Sequence, residues 1–309
     1  MLRVAKPGLQ TTLQGAQRLG HRSFGLPYAG PADAVSMSLA NRLVANPPNA
    51  TCLEITYGGF EAEIEHSCAL AITGAVGAVQ IGGARVAPHT TLHAKAGDLL
   101  TIAPPKLGSR AYLAIASGFQ AKAQFGSTST YLPASLGGLT GHAIGAGDRL
   151  AALEKCDARP KLETPTDLRP ILSDAYALRA CTSAETHLLS ADALHTLFNA
   201  RFIAGQQATR MGISLTGHPL DLRSDGMMKS APVFPGMVQC PQSGVPIALS
   251  CDAQTTGGYP RIASIARCDR HLLGQIRPGN AVILLKRTPE DAVAEGLAKR
   301  ALLSDWLDA

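Results

Sequence analysis

The chain has 309 residues, with 28 Lys and Arg against 23 Asp and Glu. The resulting charge of +5 is spread along the sequence with no basic run or interleaved aromatics, which argues against a nucleic-acid partner. Seven cysteines form no CxxC pair and no Cys/His ladder, so the sequence has no metal site of standard zinc spacing and fits a reducing compartment.

Met1–Pro7 lacks the apolar core of a secretory signal, and no stretch reaches the ~18 apolar residues of a spanning helix. The expectation is a soluble, cytoplasmic chain that does not contact membranes. With 31 glycines, 20 prolines and few aromatics, tight turns should separate short strands, and Ala, Leu, Ile and Val should fill the core.

In chain order, residues 1–30 read as a strand, a polar turn and a Gly-rich loop. A helix follows, with Val35, Leu39 and Leu43 on one face and Pro31 or Asp33 at its start; Asn46-Pro47-Pro48-Asn49 ends it. Short β segments are expected at 52–57, 60–66, 68–73, 78–81, 99–102 and 111–116. Three echoes stand out: Ala96-Gly97-Asp98, Ala146-Gly147-Asp148 and Pro278-Gly279-Asn280 each launch an apolar strand. They read as hairpin corners repeated around β-barrels.

A polar, proline-containing stretch at about 155–175 suits a connector between a first lobe, 1–155, and a second, 156–309. A second helix is expected over Ala191 to Ala200, capped by Ser190, with Leu194, Leu197 and Phe198 inward. Thr288-Pro289-Glu290-Asp291 opens a last helix whose Val293, Leu297 and Leu302 form an apolar stripe. The fold class is mostly β, barrel-like, in two lobes with a few short helices.

No standard catalytic motif is present: no dinucleotide fingerprint, phosphate loop, nucleophile elbow or zinc-protease helix. The most chemically loaded stretch is Asp252-Ala253-Gln254-Thr255-Thr256-Gly257-Gly258-Tyr259-Pro260-Arg261, set between the apolar runs 247–249 and 262–266. It reads either as a loop that holds a small polar ligand or as a wide surface turn. Three further clusters accompany it. Gln14, Arg18, His21 and Arg22 precede Asp33, Asn41 and Arg42. Arg210-Met211-Gly212 could clamp a carboxylate or phosphate, or form a structural ion pair. Gln239-Cys240-Pro241 leads towards the loop, its cysteine more a filler than a nucleophile.

Thr11-Thr12-Leu13-Gln14, Ala40-Asn41-Arg42-Leu43-Val44, Leu53-Glu54-Ile55-Thr56, Arg210-Met211-Gly212, Pro235-Gly236-Met237-Val238-Gln239 and the 252–260 string occur in order. Together they resemble the biotin-dependent carboxyltransferase-like family. That family contains the C-type component of 5-oxoprolinase, the larger half of the Kip sporulation regulator pair, the protein called allophanate hydrolase subunit 2 and the carboxyltransferase region of urea carboxylase. The resemblance covers about residues 1–290 and implies cyclophilin-like β-barrels in two related lobes.

It also implies one component of an ATP-dependent amidohydrolase of the 5-oxoprolinase type, opening 5-oxoproline to glutamate together with A-type and smaller, Kip-like B-type subunits. Two alternatives accompany it: a non-catalytic regulatory protein that binds a Kip-type partner, and a carboxyltransferase that uses biotin and acts on a urea-like small amide. ATP is the expected cofactor of the complex. The expected substrate-binding residues are Asp252, Gln254, Thr255, Thr256, Tyr259, Arg261, Arg210 and Asn41. The sequence departs from the family pattern where Gly15 replaces an Asp, Gln17 a Gly and Ser214 an Arg. Further departures fall at Thr182-Ser183-Ala184 before Glu185, at His142, and at Ser230-Ala231-Pro232.

Overall fold

The computed structural model describes residues 1–154, 161–223 and 227–308. Cys156, residues 158–160 of the expected connector and the expected boundary between 155 and 156 lie outside the described residues. The chain divides into two compact units. The first comprises Met1–Leu19, Ala29–Leu172 and Leu307–Ala309; the second comprises Gly20–Tyr28 and Ser173–Trp306.

The first unit is built from two antiparallel sheets. One runs in the order Arg149–Leu150, Leu2–Pro7, Phe60–Ile64, Leu99–Ile102, Val79–Ile81, Ala84–Val86. The other runs Gln10–Gln14, Cys52–Thr56, Arg110–Ile115, Cys68–Gly74, Leu92–Ala94. Their apolar residues merge into one core that includes Leu2, Phe60 and Ile64 from the first sheet and Leu53, Ile72 and Leu113 from the second. Cys68–Gly74 and Arg110–Ile115 are buried at every position, and the helix Ala34–Leu43 packs against both. Burial on two faces is why these strands read as continuous apolar runs.

Asp33 caps this helix by accepting from the Ser36 amide, 3.0 Å, while Leu39 and Leu43 are fully buried and Val35 is half-buried. A buried polar network seats its start. Tyr112 Oη donates to Glu54 Oε2 (2.7 Å) and accepts from the Asp33 amide (2.7 Å), and the Ala32 amide also donates to Glu54 Oε2 (2.8 Å).

In the second unit seven strands close into a barrel. Their order is Ala175–Thr182, Arg261–Ile265, Met237–Gln239, Ile247–Leu249, Gly212–Thr216, Phe202–Ala204, Ala281–Lys286. The last pairs with the first in parallel, Ala175 opposite Ala281 and Ala180 opposite Lys286. Closure removes the exposed edges that an open sheet would present. Leu178, Phe202, Val238, Ile262 and Leu284 are among the fully buried residues of its core. The helix Ala191–Asn199 packs on the strand Ala281–Lys286, capped by Ser190 as expected, with Leu197 fully buried.

The three sequence echoes share one geometry. Gly97, Gly147 and Gly279 have φ of +90°, +92° and +84°, a region glycine enters without the Cβ penalty. At each corner the following acid or amide accepts from the backbone N–H three residues earlier: Asp98 from Lys95 (2.7 Å), Asp148 from Gly145 (2.8 Å) and Asn280 from Arg277 (2.8 Å). Each corner also exchanges backbone hydrogen bonds with one residue of a neighbouring strand: Ile64, Val4 and Ala204 respectively. Two of the corners belong to the first unit and one to the second, a local device common to both.

The last helix, Pro289–Leu307, begins at Thr288, whose Oγ1 accepts from the Asp291 amide, 3.1 Å. Val293, Leu297 and Leu302 do not form one stripe. Nine residues at ~100° each place Leu302 half a turn from Val293, and all three are exposed. The helix is anchored by polar groups instead: Glu295 bonds Arg287 at 3.1 Å, and Lys299 donates to the Cys268 carbonyl at 2.9 Å.

Candidate functional site

The 252–260 loop joins the barrel strands Ile247–Leu249 and Arg261–Ile265, and each of its ends is fixed by an ion pair. At the first, Arg210 Nε donates to Asp252 Oδ2 at 2.7 Å and Nη2 to Oδ1 at 2.9 Å, while the Asp252 amide donates to the Arg210 carbonyl at 2.8 Å. Both side chains are buried, so of the two roles open to Arg210 it takes that of a structural ion pair.

At the second end Arg261 Nε donates to Glu185 Oε2 at 2.7 Å and Nη2 to Oε1 at 2.5 Å. Its Nη1 donates to the Pro232 carbonyl at 3.1 Å, and its backbone N–H donates to Glu185 Oε2 at 3.0 Å. The hydrogen bonds and charge of Arg261 hold the Glu185 carboxyl below the usual carboxylate range.

The middle of the loop is suspended from backbone and from one carboxamide. Gln239 Nε2 donates to the Tyr259 carbonyl at 3.2 Å, and its Oε1 accepts from Gln254 Nε2 at 3.2 Å. Thr256–Gly257 pairs with Ala231–Pro232 as a short ladder, flanked by Val233 N–H to the Thr255 carbonyl (3.0 Å) and Met228 N–H to the Gly258 carbonyl (2.8 Å). A Cβ on Gly257 would lie 2.7 Å from Gln239 Nε2, so a larger residue there would push this carboxamide aside. What the loop presents outward is therefore Thr256 and Tyr259, both exposed, with Gln254 and Thr255 half-buried beside them.

Of the expected site residues, Asp252, Gln254, Thr255, Thr256, Tyr259, Arg261 and Arg210 share this one region of the second unit. Asn41 belongs to the first. Its Nδ2 donates to the carbonyls of Pro48 (3.3 Å) and Ala50 (2.9 Å), and its Oδ1 accepts from Asn46 (3.0 Å), so its carboxamide ties off the C-terminal end of the Ala34–Leu43 helix. Glu185 and Gln239 were visible in the sequence only as members of other motifs. The signal that links them to the loop is spatial: pairing across 76 and 15 residues.

The first cluster is divided. Arg18 is fully buried in the first unit, donating to the carbonyls of Gln124 (3.2 Å) and Ser129 (2.9 Å). Arg22 belongs to the second unit, where it donates to Val233 and Thr255. Cys240 is buried, which pushes its thiol up to about 11 and removes it as a nucleophile near neutral pH. One departure from the family pattern has a steric account. A Cβ at Gly15 would lie 2.3 Å from Thr128 Oγ1, which is hydrogen bonded at 2.8 Å to Thr51 Oγ1, so this threonine pair occupies the space an Asp there would need.

The family model for the carboxyltransferase domain, subdomain A and B, matches residues 24–285. The chain belongs to the carboxyltransferase domain family. Within it, this carboxyltransferase-domain chain is 35% identical over 293 residues to the C-type component of 5-oxoprolinase from Escherichia coli (strain K12), covering 95% of this chain and 93% of the relative. It is 30% identical over 274 residues to the protein of the same name from Haemophilus influenzae, covering 88% and 87%. Among solved structures, the Kluyveromyces lactis urea carboxylase superposes with a TM-score of 0.92 at 23% identity, over 99% of this chain and 29% of that one. The last likeness shows the fold: mostly β, with a closed seven-strand barrel. No helix among the described residues is long and apolar enough to cross a membrane.

Proposed function

We propose that this chain is the C-type component of a 5-oxoprolinase-type complex that opens the ring amide of 5-oxoproline to glutamate with hydrolysis of ATP, together with A-type and B-type subunits. The observation that carries the reading is the likeness to the C-type component of the E. coli enzyme, which runs through nearly the full length of both chains. The loop chemistry agrees with it. A cyclic amide needs donors at its carbonyl oxygen and an acceptor at its N–H, and Gln254, Thr255, Thr256 and Tyr259 supply both kinds from one outward-facing stretch. Arg210 with Asp252 and Arg261 with Glu185 act as posts that fix the loop's ends, because their donors and acceptors face each other. Asn41 acts in the fold of the first unit.

This reading assigns ATP to the partner subunits. The guanidiniums of Arg22, Arg210 and Arg261 around the loop are all bonded to protein groups, and the sequence has no glycine-rich phosphate loop, so the residues around the loop do not fit a triphosphate. The compartment in this reading is the cytoplasm. A second reading, carboxyl transfer from biotin to a small amide, is favoured by the family description itself. The test is co-purification with the A- and B-type subunits followed by an assay of glutamate formation from 5-oxoproline. Turnover that needs ATP and is indifferent to avidin supports the first reading; avidin-sensitive carboxylation of an amide supports the second and contradicts the first.

A further inference from the structure

Arg22 stands 211 residues before Val233 in sequence, yet its Nη2 donates to the Val233 carbonyl and, at 3.4 Å, to the Thr255 carbonyl. Those two carbonyls flank the short ladder that carries the loop, one beyond each of its strands, and the Val233 amide is itself bonded to the Thr255 oxygen. The guanidinium also lies over two rings, 4.7 Å from the Tyr28 centroid and 4.8 Å from that of Phe234. Arg22, Tyr28, Phe234 and the loop all belong to the second unit, although residues on either side of Gly20–Tyr28 belong to the first.

The guanidinium is held by the loop's backbone and by ring faces. Among the described residues none of its bonds goes to a carboxylate: two carbonyl dipoles and two ring faces hold the charge. Its Nη1 is buried with no hydrogen-bond partner among them. What this placement achieves is to fix the backbone of Thr255, the residue at the centre of the proposed ligand-facing stretch.

We infer that Arg22 is a positioning residue for the 252–260 loop, holding the Thr255 carbonyl so that the Gln254, Thr255 and Thr256 side chains meet the substrate amide in a fixed arrangement. The inference rests on the proposed function for its catalytic consequence, but not for its structural one. A loop misplaced by about 1 Å costs on the order of a hundredfold in rate. Lysine can keep the charge and one carbonyl bond but not the fork.

The experiment compares wild type, Arg22→Ala and Arg22→Lys in two ways. Hydrogen exchange on the full chain reads protection of the Val233 amide against that of the core amides of Leu113 and Val282. ATP-dependent turnover of 5-oxoproline by the reconstituted complex reads kcat and KM. The expected result is that Arg22→Ala loses protection at Val233 with the core unchanged and loses about a hundredfold in kcat/KM, and that Arg22→Lys recovers at least part of both. Unchanged Val233 protection in Arg22→Ala overturns the inference whatever the activity. Parallel loss of core protection in both variants overturns it too, as the mark of a residue that only supports the fold. A wild-type complex without turnover would count against the proposed function and leave the exchange result to decide the role of Arg22.

Discussion

At the scale of single residues, chemically similar side chains around the loop divide by how they are engaged. Arg210 and Asp252 are buried against each other, so removing one leaves the other as an uncompensated charge. Arg210→Ala should therefore cost about 3–5 kcal/mol of stability. Gln254→Ala, which removes a single neutral hydrogen bond to Gln239, should cost only about 1 kcal/mol. Urea unfolding of the two variants checks this, and equal losses would mean that the Arg210 pair is not what holds the loop.

His89 offers a separate test in the first unit. Burial is the main cause, with Arg169 second, of a pKa lowered to about 4 from the usual 6.5. Between those values the unfolded chain binds the proton and the folded chain does not, so stability falls as pH drops from about 6.5 to about 4, by about 3 kcal/mol in all. Glu185, held below the usual carboxylate range, begins to lose its contribution as pH falls to about 4.5, at the acid end of that window, and goes on losing it below. His89 has φ of +62°, which asparagine tolerates, so His89→Asn should flatten the profile between pH 6.5 and 4 without unfolding the chain at neutral pH. An unaltered slope would contradict the assignment.

At the scale of elements, what could be read from the sequence was whatever short-range chemistry dictates. Gly97-Asp98, Gly147-Asp148 and Gly279-Asn280 announced their corners because the positive φ and the side-chain bond to a nearby amide are local. The caps Ser190 and Thr288 were legible for the same reason, while Asp33 and Pro31 stood as alternatives for a helix start that Asp33 caps. The orientation of the last helix was not. Val293 and Leu297 suggest a buried face, yet Glu295 and Lys299 anchor the helix, and only tertiary partners on Arg287 and Cys268 decide between the two. Leu297→Glu should consequently shift stability by no more than about 0.5 kcal/mol, as for other exposed positions, by thermal unfolding. A loss of several kcal/mol would put Leu297 in a core.

At the scale of the whole molecule, the sequence revealed which residues carry chemistry but not which of them engage each other. Asp252, Arg210 and Arg261 looked like ligand groups because each is a strong hydrogen-bonding residue in a polar stretch; their pairing across 42 and 76 residues could be seen only in the fold. The same holds for Arg22, whose hydrogen bonds lie beyond residue 230. The proposed site is the loop itself, with Gln254, Thr255, Thr256 and Tyr259 as its ligand-facing groups and Asp252, Arg210 and Arg261 engaged with protein partners.

The most direct test of that claim is ATP-dependent conversion of 5-oxoproline to glutamate by the complex assembled with wild-type, Gln254→Ala or Thr255→Ala chain, each checked for fold and for co-purification with its partners. The account predicts turnover with the wild-type chain and its loss, by about a hundredfold or more, with either variant in an intact complex. Wild-type rates from the variants would contradict the assignment of the loop as the substrate site.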